Sequence, residues 1–161
     1  MARLKGFRSF VVIAGVVFLG LRLLHLGVPL VFPNVRSGPI ALASLDEVER
    51  RVGFAPMIPA YRPAELGNAP ASITVSFNPR PTFAIVWQQG EQMLSVTEWR
   101  GSFKPDEAPL SRPLDGVANS SWWLEGAHAH LNLLRDGYWI TIKTTLPERD
   151  LARLADTLTR Y

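Results

Sequence analysis

Hydrophobic and polar positions fall into three regimes along the chain. From Phe10 to Phe32 apolar residues run almost unbroken, interrupted among strongly polar types only by Arg22 and His25. At about 1.5 Å of rise per residue, about 20 such residues cross a hydrocarbon core about 30 Å thick, so a transmembrane helix is expected over residues 10–32. Further on the pattern changes to a period of two, as Ile73, Val75 and Phe77 alternate with Thr74, Ser76 and Asn78. Thr82–Gln88 and Glu91–Arg100 flank Gln89-Gly90, which predicts a hairpin. Its register sets Phe83 against Val96 and Ile85 against Leu94 on one face, with Thr82 against Thr97 and Ala84 against Ser95 on the other. Ser120–Glu125 reads as a short strand that sends Trp122 and Trp123 to opposite sides. His128–Arg135 and Tyr138–Thr144 flank Asp136-Gly137, a strong hairpin signal. Here Leu133 meets Ile140 and Leu131 meets Ile142 on the buried face, while His130 with Lys143 and Asn132 with Thr141 lie opposite. The third regime is helical: Leu151, Leu154, Ala155 and Leu158 form one apolar stripe.

Local signals set the ends of these elements. Ser44 and Glu47 have the spacing of a capping box, predicting a helix that ends at Val52 before Gly53. Thr145 and Glu148 repeat that spacing ahead of the last helix, and Pro147 suits a first turn. Pro56, Pro59 and Pro63 enforce an extended, irregular stretch. Residues 33–43 read as a linker, and Gly101–Asn119 as a long loop of the kind that is functional or mobile. The expected fold class is α+β: an N-terminal transmembrane helix, then a mostly antiparallel sheet of about six strands with two flanking helices on one face, over residues 44–161.

The net charge of +3 is unevenly distributed. Residues 1–36 hold five Arg and Lys and no acid, whereas residues 37–161 hold 12 basic and 14 acidic side chains. The basic excess therefore marks membrane topology rather than a nucleic-acid face. Arg3, Lys5 and Arg8 before the span place residues 1–9 in the cytoplasm and the domain outside the cell membrane. The first A-x-A sequence after the apolar run, Ala41-Leu42-Ala43, lies beyond Pro29, Pro33 and Pro39, so an uncleaved single-pass signal anchor is expected over a cleaved signal. Arg22 is read as snorkelling toward the headgroups. With no cysteine, disulfides, thiolate catalysis and Cys-based zinc sites are excluded.

Candidate chemistry is sparse. His128 and His130, two apart on a strand, share a face as metal ligands would, but the hairpin register sets Lys143 beside His130 and supplies no third ligand. Glu91, Glu98 and Glu125 are the carboxylates available for glycosidase-like pairing, and none has a spacing that argues for it. Ser95, Ser111, Ser120 and Ser121 lack a nucleophile-elbow context. No catalytic residue, cofactor or metal is assigned, and no enzyme is expected. Four of the five tryptophans fall between Trp87 and Trp123. The sheet face turned from the core carries Val86, Met93, Leu134 and Trp139, joined by His128 and His130, and this is the candidate binding face.

The proline-framed Pro56-Met57-Ile58-Pro59-Ala60-Tyr61-Arg62-Pro63, the closing Leu133-Leu134-Arg135-Asp136-Gly137-Tyr138-Trp139-Ile140 and the Leu151–Leu158 helix resemble a bacterial family of unknown function. Its members are extracytoplasmic domains of single-pass membrane proteins, lipoproteins and anti-sigma-factor tails, distantly similar to lipoprotein-carrier folds. The resemblance covers about residues 45–160 and brings no catalytic residues with it. Leu133 or Leu134 stands where the family often has tryptophan, and nine cytoplasmic residues leave no room for a sigma-binding domain. Together these readings predict a membrane-anchored, non-enzymatic binding or sensing domain whose ligand, a protein or a lipid, meets the non-core face and the Gly101–Asn119 loop. The alternative is a carrier that holds an acyl chain between sheet and helices.

Overall fold

Two three-stranded antiparallel runs, joined side by side, make most of the sheet, and one short strand extends its edge. In the computed structural model, which describes Val17, Phe18, Arg22 and residues 38–161, the chain divides into Met1–Ser37 and Gly38–Tyr161. The expected span over residues 10–32 lies outside the described residues except at Val17, Phe18 and Arg22, which are helical. Among the described residues no helix is long and apolar enough to cross a membrane.

The second unit runs β1 (Ile40–Ala41), α1 (Asp46–Val52), β2 (Met57–Pro59), a 3-10 turn at Ala64–Leu66, then β3 (Ser72–Ser76), β4 (Thr82–Gln89) and β5 (Gln92–Arg100). It continues with β6 (Ser120–Glu125), β7 (His128–Arg135), β8 (Tyr138–Thr144), α2 (Glu148–Asp156) and β9 (Leu158–Arg160). One sheet holds seven strands in the order β1-β3-β4-β5-β8-β7-β6, all antiparallel, and β2 and β9 form a separate ribbon. The connection from β5 to β6 therefore crosses to the far edge, and β6, β7 and β8 return to lie beside β5. This is Greek-key connectivity, and it explains the length of the Gly101–Asn119 segment.

The structure is α+β, with three more strands than expected. β1 lies inside the presumed linker and pairs Ile40 with Val75. β2 arises within the stretch read as irregular, and β9 ends the chain where helix was expected to continue. The α2 helix stops at Asp156, where the Thr157 hydroxyl donates to the Arg153 carbonyl at 2.8 Å and accepts the Tyr61 N–H at 3.2 Å. The β-branched Thr157 and Thr159 lose rotamer freedom in a helix, and the extended Met57-Ile58 segment offers them a strand partner instead.

The β7–β8 register is the expected one, with Leu133 opposite Ile140 and His130 opposite Lys143. In β4–β5 the register differs from expectation by two residues, so Phe83 faces Glu98 and Ile85 faces Val96. The turn is Gly90-Glu91 rather than Gln89-Gly90, with Gly90 at φ +59°. A glycine first in a two-residue turn takes the positive φ, whereas the expected placement would have forced it on Gln89. Neither expected capping box forms. Leu45 stands at the α1 N-cap and Pro147 at the α2 N-cap, both without a side-chain cap. Thr145 is occupied elsewhere, its hydroxyl accepting the Met93 N–H at 2.9 Å. Gly53 ends α1 at φ +80° as expected, donating its N–H to Glu49.

On the inner face a single cross-sheet row contains Ile73, Ile85, Val96, Ile142, Leu131 and Trp122, each paired with the next and all buried. Val48 and Val52 of α1 and Leu151, Leu154 and Ala155 of α2 belong to the same core. Burial of each large apolar side chain contributes about 1.5–3 kcal/mol. The neighbouring row holds one exception, Glu98, which is 0% exposed. Its carboxylate accepts the Met57 N–H at 2.7 Å and an Arg160 guanidinium N–H at 2.6 Å. Met57 and Arg160 are themselves paired across the ribbon, so one buried carboxylate fastens both ribbon strands to the sheet. Burial pushes the Glu98 carboxyl above its ordinary range, against the opposing pull of Met57 and Arg160.

Candidate functional site

Strand alternation places all six candidate residues on the outer face of the sheet. Val86, Met93, His128, His130, Leu134 and Trp139 are each partly buried there. They do not form one cluster. Leu134 and Trp139 are cross-strand partners, and the same row continues through Trp99 to Thr82. Val86 lies in another row, beside Ser95, Lys143, His130 and Trp123. Met93 faces Gln88 at the far end of its strand.

The segment after β5 lies over the first of these regions. Trp99 is buried although it points outward, because its Nε1–H donates to the Phe103 carbonyl at 3.0 Å and the Arg80 guanidinium sits 4.8 Å from its ring centre. Asn132 is also buried on this face, donating to the Asp106 carbonyl at 3.1 Å and accepting the Thr141 hydroxyl at 2.8 Å. Ser121 donates to the Glu107 carboxylate. Lys104, 2.8 Å from Glu107, and the Ser121 hydroxyl hold that carboxyl below its ordinary range. The segment then rounds the open edge of β6, where Arg112 and Trp122 exchange two backbone hydrogen bonds. It ends by burying Leu114 and Val117 in the core.

Between this segment and the sheet lies a cleft of about 440 Å³, whose lining includes Lys104, Glu107, Arg112, Leu134 and Trp139. Leu134 and Trp139 give it apolar surface, while Ser111, Asn119, Ser120 and Ser121 with two cations and one anion give it polar groups, so it suits a ligand or peptide of mixed polarity. Of the six candidates only Leu134 and Trp139 reach it. The cations Lys104 and Arg112 are not among the six, because they sit in the loop and belong to no periodic pattern; Trp99, which shares a face with Ser95 and Thr97, is buried and does not line the cleft.

His130 stands in the second region. Its ring stacks on Trp123 with centres 5.0 Å apart. Its Nε2 lies 3.1 Å from the Glu125 carboxylate yet is buried without an aligned hydrogen bond. Burial, then Lys143, then His128 push its pKa down and outweigh the upward pull of the mostly exposed Glu125. Burial thus works against the charged ring that an ion pair with Glu125 would require. Among the described residues no three His, Asp or Glu side chains stand close enough to share a metal. The carboxylates do not converge: Glu98 is in the inner layer, Glu91 in a turn and Glu125 at the end of β6.

Neither a family model nor a curated protein matches the chain.

Proposed function

We propose that the chain is a single-pass membrane-anchored protein that displays a non-enzymatic binding domain outside the cell membrane. Residues 10–32 serve as the anchor and residues 1–9 stay in the cytoplasm. The observation that carries the binding role is the cleft shared by the Gly101–Asn119 segment and the outer face, where the half-buried Trp139 stays in reach of a partner. The apolar run with basic residues before it carries the anchoring role. The resemblance to extracytoplasmic bacterial domains points the same way.

Beneath α2 the rival carrier reading finds no room, since Leu151 and Leu154 are fully buried in the core there.

Photo-crosslinking tests the binding role. A photoreactive residue replaces either Trp139 or the exposed Arg149 in the full-length, membrane-embedded chain. A discrete adduct from position 139 and none from position 149 supports the cleft. Equal labelling at both positions, or none at 139, overturns it. An adduct with the mass of a lipid would favour the carrier reading. Trp139→Ala should weaken an adduct formed from a photoreactive residue at Ser111, which also lines the cleft, about tenfold while leaving the fold intact, as aromatic anchors at interfaces do. Resistance of the chain to alkaline extraction, with residues 38–161 open to external protease, checks the anchor and its orientation.

A further inference from the structure

Two donors in the inner layer lack an acceptor. Trp87 is 1% exposed, and its Nε1–H has no partner. The Nε–H of Arg62 is likewise buried and unpaired. The two lie together, with the Arg62 guanidinium 4.9 Å from the centre of the Trp87 ring. A long contact of 3.5 Å from Nη1 to the Pro59 carbonyl leaves the Nε side of the guanidinium fork free. No carboxylate pairs with Arg62 among the described residues.

Both side chains wall a cavity of about 370 Å³ beside the β2–β9 ribbon, with Leu45, Ile58 and Ile85 among its apolar surfaces. None of its lining residues is acidic, and its second cation, Arg160, is already engaged by Glu98. A buried donor left unmet is destabilising, and more so on a charged group. Two such donors belong to residues that line one cavity, and no oxygen of the described residues bonds to either, so an outside acceptor is called for. One side of a guanidinium fork presents two parallel N–H groups, which match a planar carboxylate. The indole N–H adds a third donor and, unlike a lysine, does not favour a more highly charged anion.

We propose that this cavity binds a small molecule with a carboxylate at one end and a short apolar body. Arg62 and Trp87 hold the carboxylate, while Ile58 and Ile85 contact the body. The site lies on the inner side of the sheet and does not depend on the outer-face cleft.

The test uses the full chain in maltoside micelles with its indole nitrogens isotopically labelled, giving five tryptophan N–H resonances. Trp87→Phe identifies the Trp87 signal. If that variant fails to fold, the signal is identified as the one resonance that Arg62→Gln selectively moves. Hexanoate should shift the Trp87 signal saturably, and more than the other four. Hexanol, which lacks the charge, should not. Arg62→Gln should weaken the hexanoate response about tenfold or more, leaving the other indole signals in place. A Trp87 signal unmoved by hexanoate, or moved equally by hexanol, overturns the proposal and assigns the two donors to a buried water. Tighter binding of hexyl phosphate than of hexanoate overturns the carboxylate assignment.

Discussion

The two faces of the sheet solve different problems. The inner face is six strands deep in apolar rows, and its one fully buried carboxyl group, Glu98, has an acceptor position filled by each ribbon strand. The outer face mixes threonines, serines, three tryptophans and two histidines, most of them half-buried. Antiparallel sheets often leave one face to water, so the outer polar rows are ordinary. The row Trp99–Trp139–Leu134 is less so, because the fold does not need it for its core. The β5–β6 connection covers Trp99 and Asn132 and stops short of Trp139. Burial on the inner face thus fixes the fold, while partial cover on the outer face leaves an edge that can be used.

The contrast is broken most strongly at Glu98. Arg160→Ala leaves a buried carboxylate with only the Met57 N–H, and should destabilise the domain by about 3–5 kcal/mol in a denaturant titration. Adding Glu98→Gln to Arg160→Met keeps an acceptor for Met57 and removes the buried charge, so the double variant should recover most of the loss. If Arg160→Ala costs less than about 1 kcal/mol, the range of a surface ion pair, the ribbon is not fastened through this carboxylate.

On the outer face the corresponding change is smaller. Asn132→Ala removes the donor to Asp106 and the acceptor for Thr141, and should cost about 1–3 kcal/mol. Its distinguishing effect is local: limited proteolysis within Gly101–Asn119 should accelerate more than global stability falls. Equal acceleration throughout the domain would mean that Asn132 serves the core rather than the segment that shapes the cleft.

How much of this was legible in the sequence follows from locality. Asp136 and Gly137 both take positive φ, at +52° and +78°, so the turn residues alone specify the β7–β8 register. Gly90 carries the positive φ alone and comes first in its turn, and reading it as second displaced the β4–β5 register by two residues. A displacement of two preserves the faces, which is why all six candidate residues still fall on the outer side. β1, β2 and β9 are two or three residues long, too short to show alternation. Their partners are distant, as in the pairing of Met57 with Arg160. The approach of Lys104 and Arg112 to Trp139 and the meeting of Arg62 with Trp87 also depend on such distant contacts.

Acidity separates the faces most finely, because one titratable group on each responds in the opposite sense. His130 is held below its ordinary value of 6.5, first by burial and then by Lys143 and His128. The unfolded chain therefore binds a proton first as pH falls below about 6.5, and this part of the stability is lost down to the folded value. Glu98 is held above 4.5 by burial. The folded chain then binds the proton more readily, so stability is gained as pH falls from the folded value toward about 4.5. Replacing His130 with Phe should flatten the acid-side decline that begins near 6.5, and Glu98→Gln should remove the opposing gain. The two difference curves, measured by thermal melts between neutral pH and pH 4, should have slopes of opposite sign. A His130→Phe curve parallel to the parent would show that the ring titrates alike in the folded and unfolded chain, and a steeper acid-side decline in the variant would mark Glu125 as a true ion-pair partner. The outer face would then be more open to water around His130 than its burial against Trp123 implies.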